Sequence, residues 1–199
     1  MQGIRRNFDH SCRALASAAA EATFRASVLR KSHAAGRLGP PPHARYEWHT
    51  MPAQPLYAAD IPPEKDPTLD DFNALAREAL AAIPEPFKSH IGAVVIRVAE
   101  WPEDEVLQDM GFESPYELLG LYQGVALTER SSGDIAPPVD LIFLYRQPLL
   151  AAWEEDGCDL RDLVRNTLVH EIGHHFGLTD AQMEALEAAA EDEDRKNRA

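Results

Sequence analysis

The sequence predicts a small α+β domain in which helices pack on a short mixed sheet of about three strands, with a histidine-rich helix near the C-terminus. The elements read along the chain in the order helix, strand, strand, strand, helix, helix, which favours helices packed on one face of a sheet. The 199 residues suit a single domain. Apolar residues make up 45% of the chain, which is enough for a buried core.

The first element is an amphipathic helix predicted over 68–83. Thr68 and Asp71 have the spacing of an N-terminal cap, and the prolines that follow position 83 stop the helix. Its apolar side chains recur at helical spacing on one face: Phe72, Leu75, Ala79, Leu80 and Ile83.

Three strands are predicted next, over 91–98, 118–130 and 139–149, because these runs are apolar and of strand length. The acidic segment between the first two has room for a short helix. Gly120 and Gly124 lie inside the second run, and glycine in a strand often marks a bulge or a close approach of another backbone. A helix over 159–177 and a final acidic helix complete the domain.

The N-terminal residues 1–50 differ from the rest of the chain. They carry eight basic residues against three acidic ones, a net charge of +5, while the remaining 11 basic and 30 acidic residues give 51–199 a net charge of −19. Gly and Pro cluster at 36–42, which is typical of a linker. Three interpretations stay open for this segment: a start site assigned too early, a transit-like or partner-binding arm, and a disordered tail. The predicted domain is 51–190, and 191–199 form a charged tail.

Composition limits the partners and the compartment. The acidic body argues against binding nucleic acid or an anionic membrane. The sequence contains no run of about 18 apolar residues, so we expect no membrane span. Cys12 and Cys158 have no CxxC partner, so we expect neither a disulfide framework nor a cysteine-based zinc site. These features favour a reduced, cytoplasmic protein.

The segment "TLVHEIGHHFGLTD" places titratable groups where an apolar helix face continues. With His170 at 0° on a helical wheel, His174 lies at about 40° and Glu171 at about 100°. Two imidazoles one turn apart can bind one metal ion, with the carboxylate beside it. This is the H-E-x-x-H pattern, in which two histidines bind zinc and the glutamate is the general base.

Two further residues extend the pattern. Gly177 lies three residues after His174, and Asp180 lies six residues after it. A shuffled chain of the same composition contains the short pattern roughly 3% of the time, and the extended pattern roughly 2 times in 10,000. Gly177 can adopt the left-handed conformation that ends a helix, so the chain turns back and Asp180 can supply a third ligand. The alternative is that Asp180 only helps to start the last helix, where Thr179 and Gln182 have capping-box spacing.

The run "HEIGHHFGLTD" resembles the extended zinc motif of metzincin-type metallopeptidases, in the variant with aspartate as third ligand. Together with "LLGLYQGVALTER" and "VDLIFLYRQPL", it resembles the small bacterial zincin-like metallopeptidases over residues 68–185. The resemblance implies a compact zincin-like fold, a Zn²⁺ ion and peptidase activity on a peptide or protein substrate. Met183 follows Asp180 too closely to be the methionine turn of true metzincins.

The remaining polar candidates have weaker claims to a role. For His175, packing beside the site is favoured over orienting a substrate or hydrogen-bonding Glu171. Tyr122, Tyr145 and Arg146 could donate to a developing oxyanion, although strand packing or surface exposure is the favoured interpretation for each.

Two functions compete. In a zinc peptidase, His170, His174 and Asp180 bind zinc, Glu171 is the base, and 118–130 is an edge strand for an extended peptide. In a non-catalytic binding module, zinc would only stabilise the fold. Structural zinc sites usually have four protein ligands, so three ligands favour the peptidase.

Overall fold

The computed structural model describes residues 2–5, 66–83, 87–92, 94–130, 139–185, 188 and 196. The helices are α1 (Leu69–Ala82), α2 (Phe87–Ile91), α3 (Asp104–Met110), α4 (Arg146–Asp156) and α5 (Leu160–His175), with a 3-10 helix at Pro115–Glu117 and a helical segment over 180–185. The strands are β1 (Gln2–Arg5), β2 (Val95–Ala99), β3 (Leu118–Gln123) and β4 (Leu141–Tyr145). The boundaries predicted at 50/51 and 190/191 lie outside the described residues and stay predictions.

The four strands form one mixed sheet in the order β1-β3-β4-β2. β2 runs parallel to β4, while β3 runs antiparallel to β4 and to β1. The predicted α+β class and mixed sheet are confirmed. The fourth strand, β1, falls within the segment that the sequence assigned to an N-terminal extension, and four residues are too few to show strand periodicity.

The first helix begins as its sequence predicted. The side-chain oxygen of Thr68 accepts from the backbone N–H of Asp71 at 3.3 Å, and the Asp71 carboxylate accepts from the backbone N–H of Thr68 at 2.7 Å. These two bonds satisfy helix N–H groups that have no partner within the helix. The buried face that follows, which includes Phe72 and Leu75, packs toward α5 and the sheet.

The predicted strand 139–149 is a strand only as far as Tyr145. The chain enters α4 at Arg146, so the assignment of the last four residues to a strand is wrong. Pro148 lies in the first turn of α4, where its missing N–H would have no helical partner in any case. Proline therefore marks the beginning of this helix.

The core lies on both faces of the sheet. In β4, Ile142 and Leu144 belong to the larger apolar cluster shared with α1 and α5. The alternating residues Phe143 and Tyr145 belong to a second cluster with α3. Helix α5 is therefore fixed against one face of the sheet. Among the described residues, no helix has the length and apolar character needed to cross a membrane.

Candidate active site

Helix α5 carries the candidate site at its C-terminal end. Its N-cap is Asp159, whose carboxylate accepts from the backbone N–H groups of Arg161 and Asp162 at 2.8 and 3.3 Å. It ends in a turn in which Gly177 has a φ of 80° and donates its N–H to the carbonyl of His174 at 2.9 Å. The predicted left-handed glycine is thus confirmed, and the chain reverses direction immediately after the histidines.

The reversal brings Asp180 to the two predicted histidine ligands. Its Oδ1 atom lies 3.2 Å from Nε2 of His170 and 3.1 Å from Nε2 of His174. One ligand atom from each of the three residues lies within 4.8 Å of the others. Both histidines are buried, whereas the side chain of Asp180 is 59% exposed, so the group opens to solvent on the aspartate side.

The hydrogen bonding of His174 fits a cation at this point. Its Nδ1 lies 2.9 Å from the carbonyl oxygen of Leu178, an acceptor, so Nδ1 carries the proton. In the neutral ring, Nε2 is then a lone-pair atom. It is buried, faces a carboxylate and has no hydrogen-bond partner among the described residues. A lone pair and an anion in close contact repel each other unless a cation lies between them, and neutral imidazole with carboxylate is a donor set suited to zinc.

The charges of the site suit metal binding. Burial lowers the pKa of His170, which keeps the ring neutral and able to bind a metal. Hydrogen bonding to His170, whose Nε2 lies 3.2 Å from Oδ1, holds the pKa of the Asp180 carboxyl well below its usual range, against the opposing effect of partial burial. These two shifts favour the protonation states that zinc requires of His170 and Asp180.

Asp180 does not itself cap the helical segment that it begins. The N–H of Thr179 donates to the side-chain oxygen of Gln182 at 3.1 Å, as the alternative capping interpretation expected of that pair. Asp180 is the first helical residue, and its carboxylate points to the histidines. Capping and the contact with the histidines therefore fall to different residues.

Glu171 is fully buried between α5 and β3. A Cβ atom built at Gly120 would lie 2.9 Å from Oε1 of Glu171 and 2.9 Å from Cγ2 of Thr167. Glycine at this strand position makes room for two side chains of α5, whereas the sequence suggested a bulge or the approach of another backbone. Burial raises the pKa of Tyr145, and the charge of Glu171 raises it further, which places this tyrosine within electrostatic reach of Glu171.

His175 lies outside the ligand group and belongs to a buried polar network. The Tyr122 hydroxyl donates to Oδ1 of Asp140 at 2.7 Å, and Arg130 forms an ion pair with Asp140. Nδ1 of His175 lies 3.4 Å from the Tyr122 hydroxyl and 3.5 Å from Oδ2 of Asp140. Burial lowers the pKa of His175. The network attaches the end of α5 to β3 and to the residue that precedes β4.

Two members of this network, Arg130 and Asp140, escaped the sequence reasoning. The available signal was Gly124, because a Cβ there would collide with the side chains of Tyr122 and Asp140. The candidate oxyanion donors Tyr122 and Arg146 have other partners. Tyr122 donates to Asp140, and Arg146 binds the carboxylate of Glu100 at 2.9 Å.

Cys158, just before α5, is disulfide-bonded. The expectation that the cysteines are reduced is therefore wrong for this residue. The only other cysteine in the sequence is Cys12, which lies outside the described residues. Two cysteines far apart in the sequence and without a motif give no sign of pairing.

Comparison with known proteins agrees with this geometry. No curated protein matches the chain. The family model described as zincin-like metallopeptidase matches residues 91–190, half of the chain, and this range includes β2 to β4, both predicted histidine ligands, Glu171 and Asp180. The chain therefore belongs to the zincin-like metallopeptidase family.

Proposed function

We propose that the protein is a zinc-dependent peptidase in which His170, His174 and Asp180 bind the metal and Glu171 is the general base. The observation that carries the proposal is the lone-pair Nε2 of His174, which faces the Asp180 carboxylate at 3.1 Å with Nδ1 held by Leu178. Three ligands leave a coordination position for water, as in catalytic zinc sites.

The reaction divides between the metal and the carboxylate. Zinc, when bound, would lower the pKa of a water molecule and polarise the scissile carbonyl. Glu171 accepts the water proton at a carboxylate oxygen and later donates it to the leaving amine. Its burial against β3 restricts its motion and excludes bulk water on that side.

The substrate we propose is an extended peptide. β3 is an inner strand of the sheet, with β1 on one side and β4 on the other, so the expectation of an edge strand is wrong for the whole sheet. β3 packs on α5 at Gly120, and a peptide paired with β3 in the place of β1 would pass the general base. Strand addition reads main-chain N–H and C=O groups and requires no defined side chain. The absence of nucleic-acid and membrane partners remains a prediction from the acidic body.

The cytoplasmic location also remains a prediction. The disulfide at Cys158 argues against it, because disulfides are rare in reducing compartments.

The test compares wild type with Glu171→Gln and with Glu154→Gln, a matched change at an exposed position on α4. We expect about one zinc per chain in all three proteins by elemental analysis. Wild type and Glu154→Gln should hydrolyse a fluorogenic peptide library, and Glu171→Gln should lose this activity. Undiminished hydrolysis by Glu171→Gln would disprove the mechanism. Bound zinc without hydrolysis in any of the proteins would favour the non-catalytic zinc module.

A further inference from the structure

The outer edge of β3 is paired with a strand of the same chain. β1 (Gln2–Arg5) runs antiparallel to β3, with Gly3 opposite Leu121 and Ile4 opposite Gly120. β4 is paired with the other edge of β3. In the described part of the chain, β3 therefore has a neighbour on both sides, and the edge expected for a substrate holds the N-terminal strand.

The N-terminal strand passes beside Glu171. Gly120 packs against Oε1 of Glu171, and Ile4 is the strand partner of Gly120. Directly opposite Cα atoms in an antiparallel pair lie about 4.5–5.5 Å apart. The backbone of Ile4 is therefore adjacent to the position of β3 that touches the proposed general base, and β1 also contacts α5.

We propose that β1 is an intramolecular inhibitor that occupies the peptide-binding edge of β3 and must leave before a substrate can bind. This inference rests on the proposed function, which places the substrate on that edge. A strand edge presents one row of N–H and C=O groups, so two extended segments cannot pair with it at the same time. The N-terminal strand and a substrate peptide exclude each other.

The pairing between β1 and β3 is weak enough for a competing strand to displace β1. β1 has four residues, and its register shifts between Ile4 and Arg5, where the partner changes from Gly120 to Leu118 and Leu119 is left unpaired. A ladder this short, interrupted by a bulge, is weak by itself.

Covalent connection compensates for this weakness. A tethered segment acts at an effective concentration of about millimolar, and the net charge of +5 on residues 1–50 attracts it to the body with its net charge of −19. A free substrate must compete against both effects.

The test uses the full chain, loaded with zinc, in three forms: wild type, Gly3→Pro/Ile4→Pro and Gly3→Ala/Ile4→Ala. Alternate residues of a strand direct their N–H groups to opposite sides, so one of two adjacent prolines must remove an N–H that faces β3. The alanine pair changes the same side chains and keeps both N–H groups. The probe is a labelled synthetic peptide, MQGIRRNF, with a scrambled peptide as control, and binding is measured by fluorescence anisotropy.

We expect the peptide to bind the proline variant about tenfold or more tightly than it binds wild type or the alanine variant. Equal affinity for the three proteins would overturn the proposal, as would failure to bind a proline variant that keeps the wild-type thermal midpoint. If the proline variant does not fold, amide exchange in wild type decides instead. Rapid exchange of every second amide of Leu118–Gln123 would then overturn the proposal, and protection of the whole strand would support it.

The binding measurement does not depend on catalysis. If the proline variant alone binds the peptide and no protein hydrolyses it, the proposal that β1 occupies the edge of β3 stands and the peptidase function is disproved. Hydrolysis with equal kcat/KM and equal peptide affinity in all three proteins would retain the peptidase and reject inhibition by β1.

Discussion

Asp180 is the residue at which ligation and helix initiation can be separated. Because Thr179 and Gln182 form the hydrogen bond at the start of the last helix, Asp180→Asn should leave the fold intact. It should release zinc to a mild chelator far sooner than wild type, since a neutral amide replaces an anionic ligand. Asp180→His should retain zinc if the imidazole reaches the same point. The measurement is the rate of zinc release from each of these proteins to a chelator, followed with a zinc-sensitive dye.

The matched control for this change is Gln182→Ala, which removes the 3.1 Å bond to the N–H of Thr179 and leaves the three ligand candidates in place. It should lower the free energy of unfolding by about 1 kcal/mol, the net contribution of a typical hydrogen bond, and the thermal midpoint should fall slightly as a result. Its zinc release should match wild type. Equal zinc retention by wild type and Asp180→Asn would remove Asp180 from the ligand set.

Gly120 gives a second prediction at the residue scale. Gly120→Ala places a methyl group 2.9 Å from both Oε1 of Glu171 and Cγ2 of Thr167. We expect a loss of stability of about 1–3 kcal/mol from overpacking and a lower kcat, because Glu171 must move. Adding Thr167→Ser removes the Cγ2 contact, keeps the hydroxyl that donates to the Leu163 carbonyl, and should restore part of both losses. Wild-type kcat in Gly120→Ala would contradict this account.

At the scale of elements, the sequence predicts those parts whose signals are local. The capping box at Thr68 and the helix-ending Gly177 each act within a few residues, so α1 and the turn after α5 follow from the sequence alone. β1 depends on pairing with a strand more than 100 positions away, and four residues carry no periodicity of their own. The buried acid Asp140 depends on Arg130 and Tyr122, which only the folded chain brings together.

Helix α5 should make the metal-free protein sensitive to acid. Burial lowers the pKa of His170 and of His175, so the unfolded chain binds more protons than the native chain once the pH falls below about 6.5. When the unfolded state binds more protons, stability falls as the pH falls. We therefore expect the thermal midpoint, measured in a chelator, to decrease steadily from pH 7 to pH 5. His175→Gln should flatten the decrease. A midpoint that stays constant or rises on acidification would contradict this explanation.

At the scale of the whole molecule, the site is assembled by contacts that hold α5 against both the sheet and the following turn. The N–H of Leu127 donates to the carbonyl of His175 at 2.9 Å, and a Cβ at Gly177 would collide with Thr128. The segment after β3 is thus fixed to the end of the helix that carries the candidate metal ligands. The same strand bears β1 on its outer edge, so one strand links the candidate metal site, the buried network and the N-terminus of the chain.

The disulfide at Cys158 gives the last prediction, because it constrains the whole chain. Cys158 is half-buried beside the start of α5, and Cys12, seven residues after β1, is the only other cysteine in the sequence. We expect a non-reducing preparation to contain no titratable thiol. Reduction, Cys158→Ser and Cys12→Ser should each lower the stability of the full chain by about 2–4 kcal/mol. They should also favour release of β1, seen as faster amide exchange in Leu118–Gln123. Two free thiols in the untreated protein, or unchanged unfolding and exchange after reduction, would show that the N-terminal strand stays on β3 without covalent help.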